Sequence, residues 1–365
     1  MRIAVIGTGL IGASLAGALR RLDQVALVVG ADRDARNLDL SLEKGLIDRA
    51  AASAGEAAQG ADIAILAVPV SAIGDVAKEV GGVLAPGAVL TDVASVKGRV
   101  VPLLESAAGP GVTVIGGHPM AGSHETGADH ATADLFVGAT YLLTPTAGTQ
   151  AAPYRRLHAL VSRIGARVLA VDPERHDLLV AVVSHLPQLA ATTLMNLAAS
   201  RARDEHADLL LLAAGGFRDA TRVAASNPQM WLEICAENRL AIIEVLDDYR
   251  ERIGALRSLL AVGDESGLRR ELATARHARR GLPGKEMVTG ALVELLLPIP
   301  DRPGVLAEVT TTVGATGVNI EDLRIEHAPE GGRGTLSLAI IGLPQADSAR
   351  AALEARGYEV LERQP

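Results

Sequence analysis

The chain is 365 residues long, with a formal net charge of −8, one tryptophan, two phenylalanines and one cysteine. That length exceeds a single ordinary core and implies two or three domains. With no surplus of Lys and Arg to displace counterions and few rings for base stacking, nucleic-acid binding is excluded, and the lone Cys235 rules out an internal disulfide framework.

The opening MRIAVIGTG breaks at glycine too early for a signal peptide, and no stretch approaches the ~20 apolar residues of a membrane span. A cytoplasmic protein with no membrane partner is expected. Up to residue 172, short β-branched runs alternate with alanine-rich helical stretches. The runs are 2–7, 24–32, 61–70, 88–95, 112–117, 140–145 and 166–172. Continuous apolar strands separated by helices imply an α/β, doubly wound, mostly parallel sheet covered on both faces. From Pro173 the pattern turns helical, over 174–202, about 205–214, 217–225, 228–261 and 264–280. Pro187 should kink or divide the first of these, and Asn227-Pro228 reads as a cap with a first-turn proline. This all-α block, residues 173–285, has more apolar faces than it can bury alone, so a homodimer through it is expected. After a linker at 279–290, residues 291–365 run strand, helix, strand, strand, helix, strand, with a turn at 329–334, the order of a ferredoxin-like βαββαβ sandwich.

Between the first strand and helix, VIGTGLIGASLAGAL places Gly7, Gly9 and Gly12 in G-x-G-x-x-G spacing. The first permits a tight turn, the second lets the backbone approach a pyrophosphate, and the third brings helix and strand close. Asp32 ends the second strand twenty positions after Gly12, where a carboxylate accepts ribose hydroxyls and repels a 2′-phosphate. Dinucleotide binding follows, NAD in preference to NADP, although the neighbouring Arg33 would tolerate the phosphate. Val68, at the end of a later strand, is either a cofactor wall or plain core.

GGHPMAGSHETG, residues 116–127, reads as a glycine-rich loop leaving a strand, with His118 at the carboxyl edge of the sheet. Oxidising an alcohol with NAD needs a base for the hydroxyl proton, and an imidazole suits it. Ser95, closing TDVAS, reaches the same edge, either as a helix cap or as the group that orients the imidazole or the substrate hydroxyl. No metal site is expected.

GTGLIGASLA, TDVASVKG, GGHPMAGSHETG, VVSHLPQ and GGFRDATRVAASNPQMW, in that order over residues 1–285, resemble the prephenate dehydrogenase family. IPDRPGVLAEVTTTVGATGVNIEDL resembles an ACT domain. The resemblance implies NAD-dependent oxidative decarboxylation of prephenate to 4-hydroxyphenylpyruvate. It makes His118 the base, Ser95 its partner and Arg222 the grip on a substrate carboxylate, with Arg218 adding positive potential and Trp231 packing near the site or anchoring the dimer. His185 keeps the family pattern. Gln188 stands where many members have a second histidine, which opens arogenate as the substrate. His124 stands where some members have a glutamate, and is either a second substrate contact or a loop residue. In the ACT-like unit, Gly304 at a helix start and Asn319 before a strand mark the loops where tyrosine would bind as a feedback effector.

A dehydrogenase of the same architecture acting on β-hydroxyacids would need a lysine base in the helical block, and no lysine lies between Lys97 and Lys285. A non-catalytic NAD-sensing regulator would not need both His118 and Arg222 at one crevice.

Overall fold

The computed structural model describes residues 1–122, 125, 127–204, 208–281, 292–300, 302, 304–320, 322–327 and 333–363. His124, most of the 279–290 linker and most of the 329–334 turn lie outside the described residues, as do residues 205–207 of an expected helix. Residues Met1–Glu271 and Leu272–Pro365 form two compact units.

The first unit begins β1 (Arg2–Ile6), α1 (Leu10–Arg20), β2 (Leu27–Ala31), α2 (Ala35–Glu43), β3 (Arg49–Ala50), α3 (Ala54–Ala58), β4 (Ile63–Leu66), α4 (Val70–Gly81), β5 (Val89–Asp92), α5 (Val100–Ala107) and β6 (Thr113–Val114). The six strands form one parallel sheet in the order β3-β2-β1-β4-β5-β6, that of a dinucleotide-binding doubly wound fold. Alternate residues of each strand feed opposite cores. Ala4 and Ile6 pack with Val29, Leu66 and Ala77, whereas Ile3 and Val5 pack with Leu15, Leu19 and Ile65. Both faces are covered, as the unbroken apolar runs require.

The chain then departs from expectation. β7 (Gly116–Pro119), β8 (Thr140–Thr144) and, after α6 (Ala151–Arg163), β9 (Arg167–Ala170) make a separate three-stranded sheet, with β7 antiparallel to β8 and β8 parallel to β9. His118 is therefore a strand residue paired with Leu142, not a loop residue. The two glycines before it make this possible by close approach. A Cβ at Gly116 would sit 2.3 Å from Thr144 Oγ1, and one at Gly117 would sit 2.4 Å from the Asp92 carbonyl oxygen. Only a chain without side chains there can leave the parallel sheet and pass between the ends of β5 and β8.

Next come α7 (Pro173–Val180), α8 (Leu186–Asp204), α9 (Gly215–Thr221), α10 (Pro228–Glu237), α11 (Arg239–Val262) and α12 (Glu265–Arg280). Asp172 caps α7 by accepting the Arg175 N–H at 2.9 Å, and Asn227 caps α10 by accepting that of Gln229 at 2.9 Å. Pro187 does not divide the first helix. Residues Ala181–His185 form one π-turn, in which the Leu186 N–H reaches back to the Ala181 carbonyl, and so absorb the missing proline donor. Helix runs unbroken from Pro173 to Asp204, long and apolar enough by length and composition to cross a membrane, contrary to the sequence expectation. Buried His176, Asp177, His185 and Gln188 stud it, however, and they belong to a polar cluster described below. In the described residues of the expected helix at 205–214 there is a 3₁₀ turn at Leu209–Leu212, the one at 217–225 changes to 3₁₀ at Arg222, and the one at 228–261 breaks at Asn238.

The second unit contains β10 (Leu292–Pro300), α13 (Val305–Gly314), β11 (Asp322–His327), β12 (Arg333–Ile341), α14 (Leu343–Glu354) and β13 (Leu361–Arg363). Its sheet is antiparallel in the order β11-β12-β10-β13, the expected βαββαβ sandwich. Leu295, Leu297, Leu336 and Leu338 from the sheet pack on Val309, Val313 and Leu353 from the helices.

Candidate active site

The nucleotide cradle is built from β1, the start of α1 and the end of β2. Gly7 lies at φ 93°, and a Cβ on it would approach the Ala67 carbonyl oxygen at 2.3 Å. A Cβ on Gly12 would strike the Gly7 carbonyl oxygen at 1.8 Å, so α1 can seat against β1 only with glycine there. Gly9 differs, since a Cβ on it would meet nothing within 4 Å. It opens the space above the N-terminus of α1, whose first amides receive no side-chain cap. Open space, uncapped donors and the positive end of a helix dipole fit a diphosphate. The Asp32 carboxylate at the end of β2 is held by the Thr8 N–H at 2.6 Å and the Asp34 N–H at 2.9 Å, which fixes it for ribose hydroxyls. Arg33 is exposed beside it, and half-buried Val68 lies against Gly7. These residues fit a dinucleotide.

A polar cluster lies at the carboxyl edge of the sheet. Asp92, at the end of β5, is fully buried and pairs with fully buried Lys97, while its other oxygen accepts the Gly117 N–H at 3.1 Å. The loop that follows donates two backbone N–H groups, from Lys97 and Gly98, to the Asp177 carboxylate, each at 2.8 Å. Asp177 Oδ1 accepts from His176 Nδ1 at 2.7 Å, and His176 Nε2 lies 2.8 Å from His118 Nδ1. The amide of Asn238, in the break between α10 and α11, donates to the Asp177 carbonyl at 2.9 Å and lies 3.1 Å from His185 Nδ1. His185 in turn meets Trp231 edge-on, with ring centroids 5.8 Å apart. Among the described residues the indole Nε1 is buried without a hydrogen-bond partner, a costly state that a bound acceptor would relieve.

The titration properties follow from burial. Loss of solvent, reinforced by His176, Lys97 and His185, holds His118 well below the usual imidazole range. Desolvation also brings His185 down to about 4, against the opposing pull of Asp177. Asp177 stays low because His176 and two backbone donors outweigh its burial. His118 is thus a free base at neutral pH, and among the described residues its ring is hydrogen-bonded through Nδ1 to His176.

Of the residues singled out in the sequence, His118, His185 and Trp231 come together here. Gln188 accepts from Ser226 Oγ at 3.4 Å, which ties α8 to the 3₁₀ turn that starts at Arg222. Arg222 is exposed on that turn, and no hydrogen bond or ion pair joins its side chain to the cluster. Arg218 turns back to the Ala213 carbonyl at 3.1 Å. Ser95 lies half-buried on the loop before Lys97 and makes no hydrogen bond to His118, whose ring partner is His176. Gly304 caps α13 at φ 88° and Asn319 is exposed before β11, both in the second unit. Sequence reasoning missed Asp92, Lys97, His176, Asp177 and Asn238. The adjacent His-Asp pair inside an apolar helix was the available signal, because such groups are buried only when partnered.

Residues 15–170 match the family profile "Prephenate dehydrogenase, nucleotide-binding domain", residues 172–274 match "Prephenate dehydrogenase, dimerization domain", and residues 294–357 match "ACT domain". Prephenate dehydrogenase of Bacillus subtilis is 32% identical over 365 residues, covering 98% of this chain and 97% of its own. The chain belongs to the prephenate dehydrogenase family and carries a C-terminal ACT domain. Cyclohexadienyl dehydrogenase of Zymomonas mobilis is 33% identical over 77% of this chain and 95% of its own. Two solved structures each cover 77% of this chain. Arogenate dehydrogenase of Synechocystis matches at 33% identity and TM-score 0.68 over 99% of that chain. Prephenate dehydrogenase of A. aeolicus, in complex with hydroxyphenyl propionate and NAD+, matches at 29% and 0.71 over 97% of that chain.

Proposed function

We infer that this family member is an NAD-dependent oxidoreductase converting prephenate to 4-hydroxyphenylpyruvate and carbon dioxide. The observation that carries the reading is His118, an uncharged buried imidazole at the carboxyl edge of the sheet that also presents the dinucleotide cradle. The cofactor, held by Gly7, Gly9, Gly12 and Asp32, supplies a hydride acceptor. His118 takes the proton of the ring hydroxyl as that carbon is oxidised. Loss of the ring carboxylate as carbon dioxide then makes the ring aromatic, and the proton returns to the oxygen as a phenol. Burial serves this chemistry, since a base that is neutral at pH 7 and shielded from water needs no deprotonation first. Trp231 Nε1 donates to a substrate oxygen, and Arg222 supplies a forked charge for a carboxylate.

Three regions divide the work. Residues 1–172 bind the cofactor, 173–285 shape the substrate side and pair two copies, and 291–365 receive tyrosine as a feedback effector near Gly304 and Asn319. The lone cysteine, Cys235, supports a reducing cytoplasm. Gln188 in the helical domain supports arogenate as the competing substrate.

NADH absorbance followed with prephenate, arogenate and a simple β-hydroxyacid, with and without tyrosine, tests the whole reading. Turnover of prephenate, slowed by tyrosine, is expected. Exclusive turnover of arogenate reassigns the substrate, and indifference to tyrosine removes the effector. His118→Asn should keep NAD affinity and lose about 100-fold or more in kcat, whereas undiminished turnover would remove the base.

A further inference from the structure

A second carboxylate-bound imidazole stands behind His118 where the serine was expected. Asp177 Oδ1 is 2.7 Å from His176 Nδ1, and a carboxylate only accepts, so His176 carries its proton on Nδ1. With Nδ1 so engaged, Nε2 is the nitrogen that meets His118, 2.8 Å from its Nδ1. A proton on His118 Nδ1 fills that contact with His176 Nε2 as the acceptor, and leaves His118 Nε2 as the lone pair for a substrate. The two rings are tilted by 56° with centroids 5.1 Å apart, a hydrogen-bonding and not a stacked arrangement. Nothing in the array is free to rotate. His176 is fully buried, and Asp177 is clamped by the backbone N–H groups of Lys97 and Gly98. The Asn238 amide donates to the Asp177 main-chain carbonyl.

We propose that His176 and Asp177 are positioning residues that fix the tautomer of His118, so that Nε2 faces the substrate as a proton acceptor before any substrate arrives. The proposal rests on His118 being the base of the reading above. It assigns a reason for the pairing of two buried imidazoles, which costs desolvation and gains nothing by packing alone. It also explains why the array spans two domains. The base stands on β7 and its orienting pair on α7, so the tautomer is set only when the helical domain is docked on the sheet. The groups that act on His118 are His176 from α7, Lys97 from the loop after β5 and His185 from the π-turn, with Asp177 bound to His176 and Asp92 to Lys97.

The test has one arm that needs no turnover. Nitrogen-15 spectra of the full chain labelled at histidine report which ring nitrogen carries the proton, with the His118 signal assigned by its loss in His118→Asn. A proton on Nδ1 of His118 is expected, and a proton on Nε2 overturns the proposal. If the chain fails to oxidise prephenate while the Nδ1 proton is found, the functional reading fails and the tautomer assignment stands. In the second arm His176→Gln leaves Asp177 and its backbone clamps in place but points an amide donor or a weaker acceptor at His118. It should lower kcat about 100-fold with the prephenate KM and NAD affinity within about threefold of wild type. Asp177→Asn should do the same where it folds. An unchanged kcat in His176→Gln, or a loss of NAD affinity as large as the loss of kcat, overturns the proposal.

Discussion

Two imidazoles held neutral by burial have opposite consequences for activity and for stability. For activity, His118 remains a base as pH falls through 6.5, because its folded pKa lies well below that value. The acid limb of kcat/KM should therefore fall below the ordinary histidine range, and a limb at 6.5 or above would contradict the burial argument. For stability the sign reverses. His185 has a folded value of about 4 against 6.5 unfolded. Between those values the unfolded chain binds a proton that the folded chain does not, so stability is complete above pH 6.5 and is lost as pH falls toward 4. The loss is at most about 1.4 kcal/mol per pH unit for each such group. Urea midpoints measured from pH 7 to 4.5 should decline, and His185→Gln should flatten part of that decline. An identical slope in the variant would show that His185 does not titrate in this way.

At the scale of elements, the glycines of the first turn separate two functions that the motif writes as one pattern. Gly12→Ala forces a Cβ into the Gly7 carbonyl and the Ala67 side chain, the latter at 2.9 Å. Either α1 lifts from β1 or β4 shifts, and the melting temperature should drop even without cofactor. Gly9→Ala meets no atom of the protein. Its apo melting temperature should match wild type, while the rise produced by saturating NAD should vanish. A retained NAD-induced rise in Gly9→Ala would move the diphosphate away from the start of α1. The fold was legible in these terms. Glycine spacing and apolar runs gave the cradle, and βαββαβ order gave the C-terminal sandwich. The site was only half legible. His118, His185 and Trp231 stood out by type, but His176 and Asn238 are functional neighbours only because a π-turn, a helix break and a second sheet place them so. Those features turn on single hydrogen bonds and on steric gaps at Gly116 and Gly117, which periodicity does not encode.

For the molecule as a whole, the helical domain exposes large apolar side chains among the described residues. Val182 and Val183 in the π-turn, Leu197 on α8, Leu232 on α10 and Leu240 and Val262 on α11 are all more than half exposed, Leu240 to 78% and Val262 to 79%. Apolar exposure on this scale is a liability in a free monomer and marks a contact surface. The family profile matched over residues 172–274 is a dimerization domain, and a second copy of this chain is the occupant that this match supports. A partner on these side chains would account for the apolar character of Pro173–Asp204, whose buried polar residues belong to the cluster described above. In a two-fold dimer each residue enters the interface twice, so a single buried charge is counted twice against association. Leu197→Glu combined with Leu240→Glu should convert a species of twice the chain mass into one of single mass in sedimentation velocity. The nucleotide domain lies outside that face, so NAD binding should persist in the monomer. A wild-type chain that sediments at single mass, or a dimer indifferent to four added carboxylates, would show that this face serves another purpose.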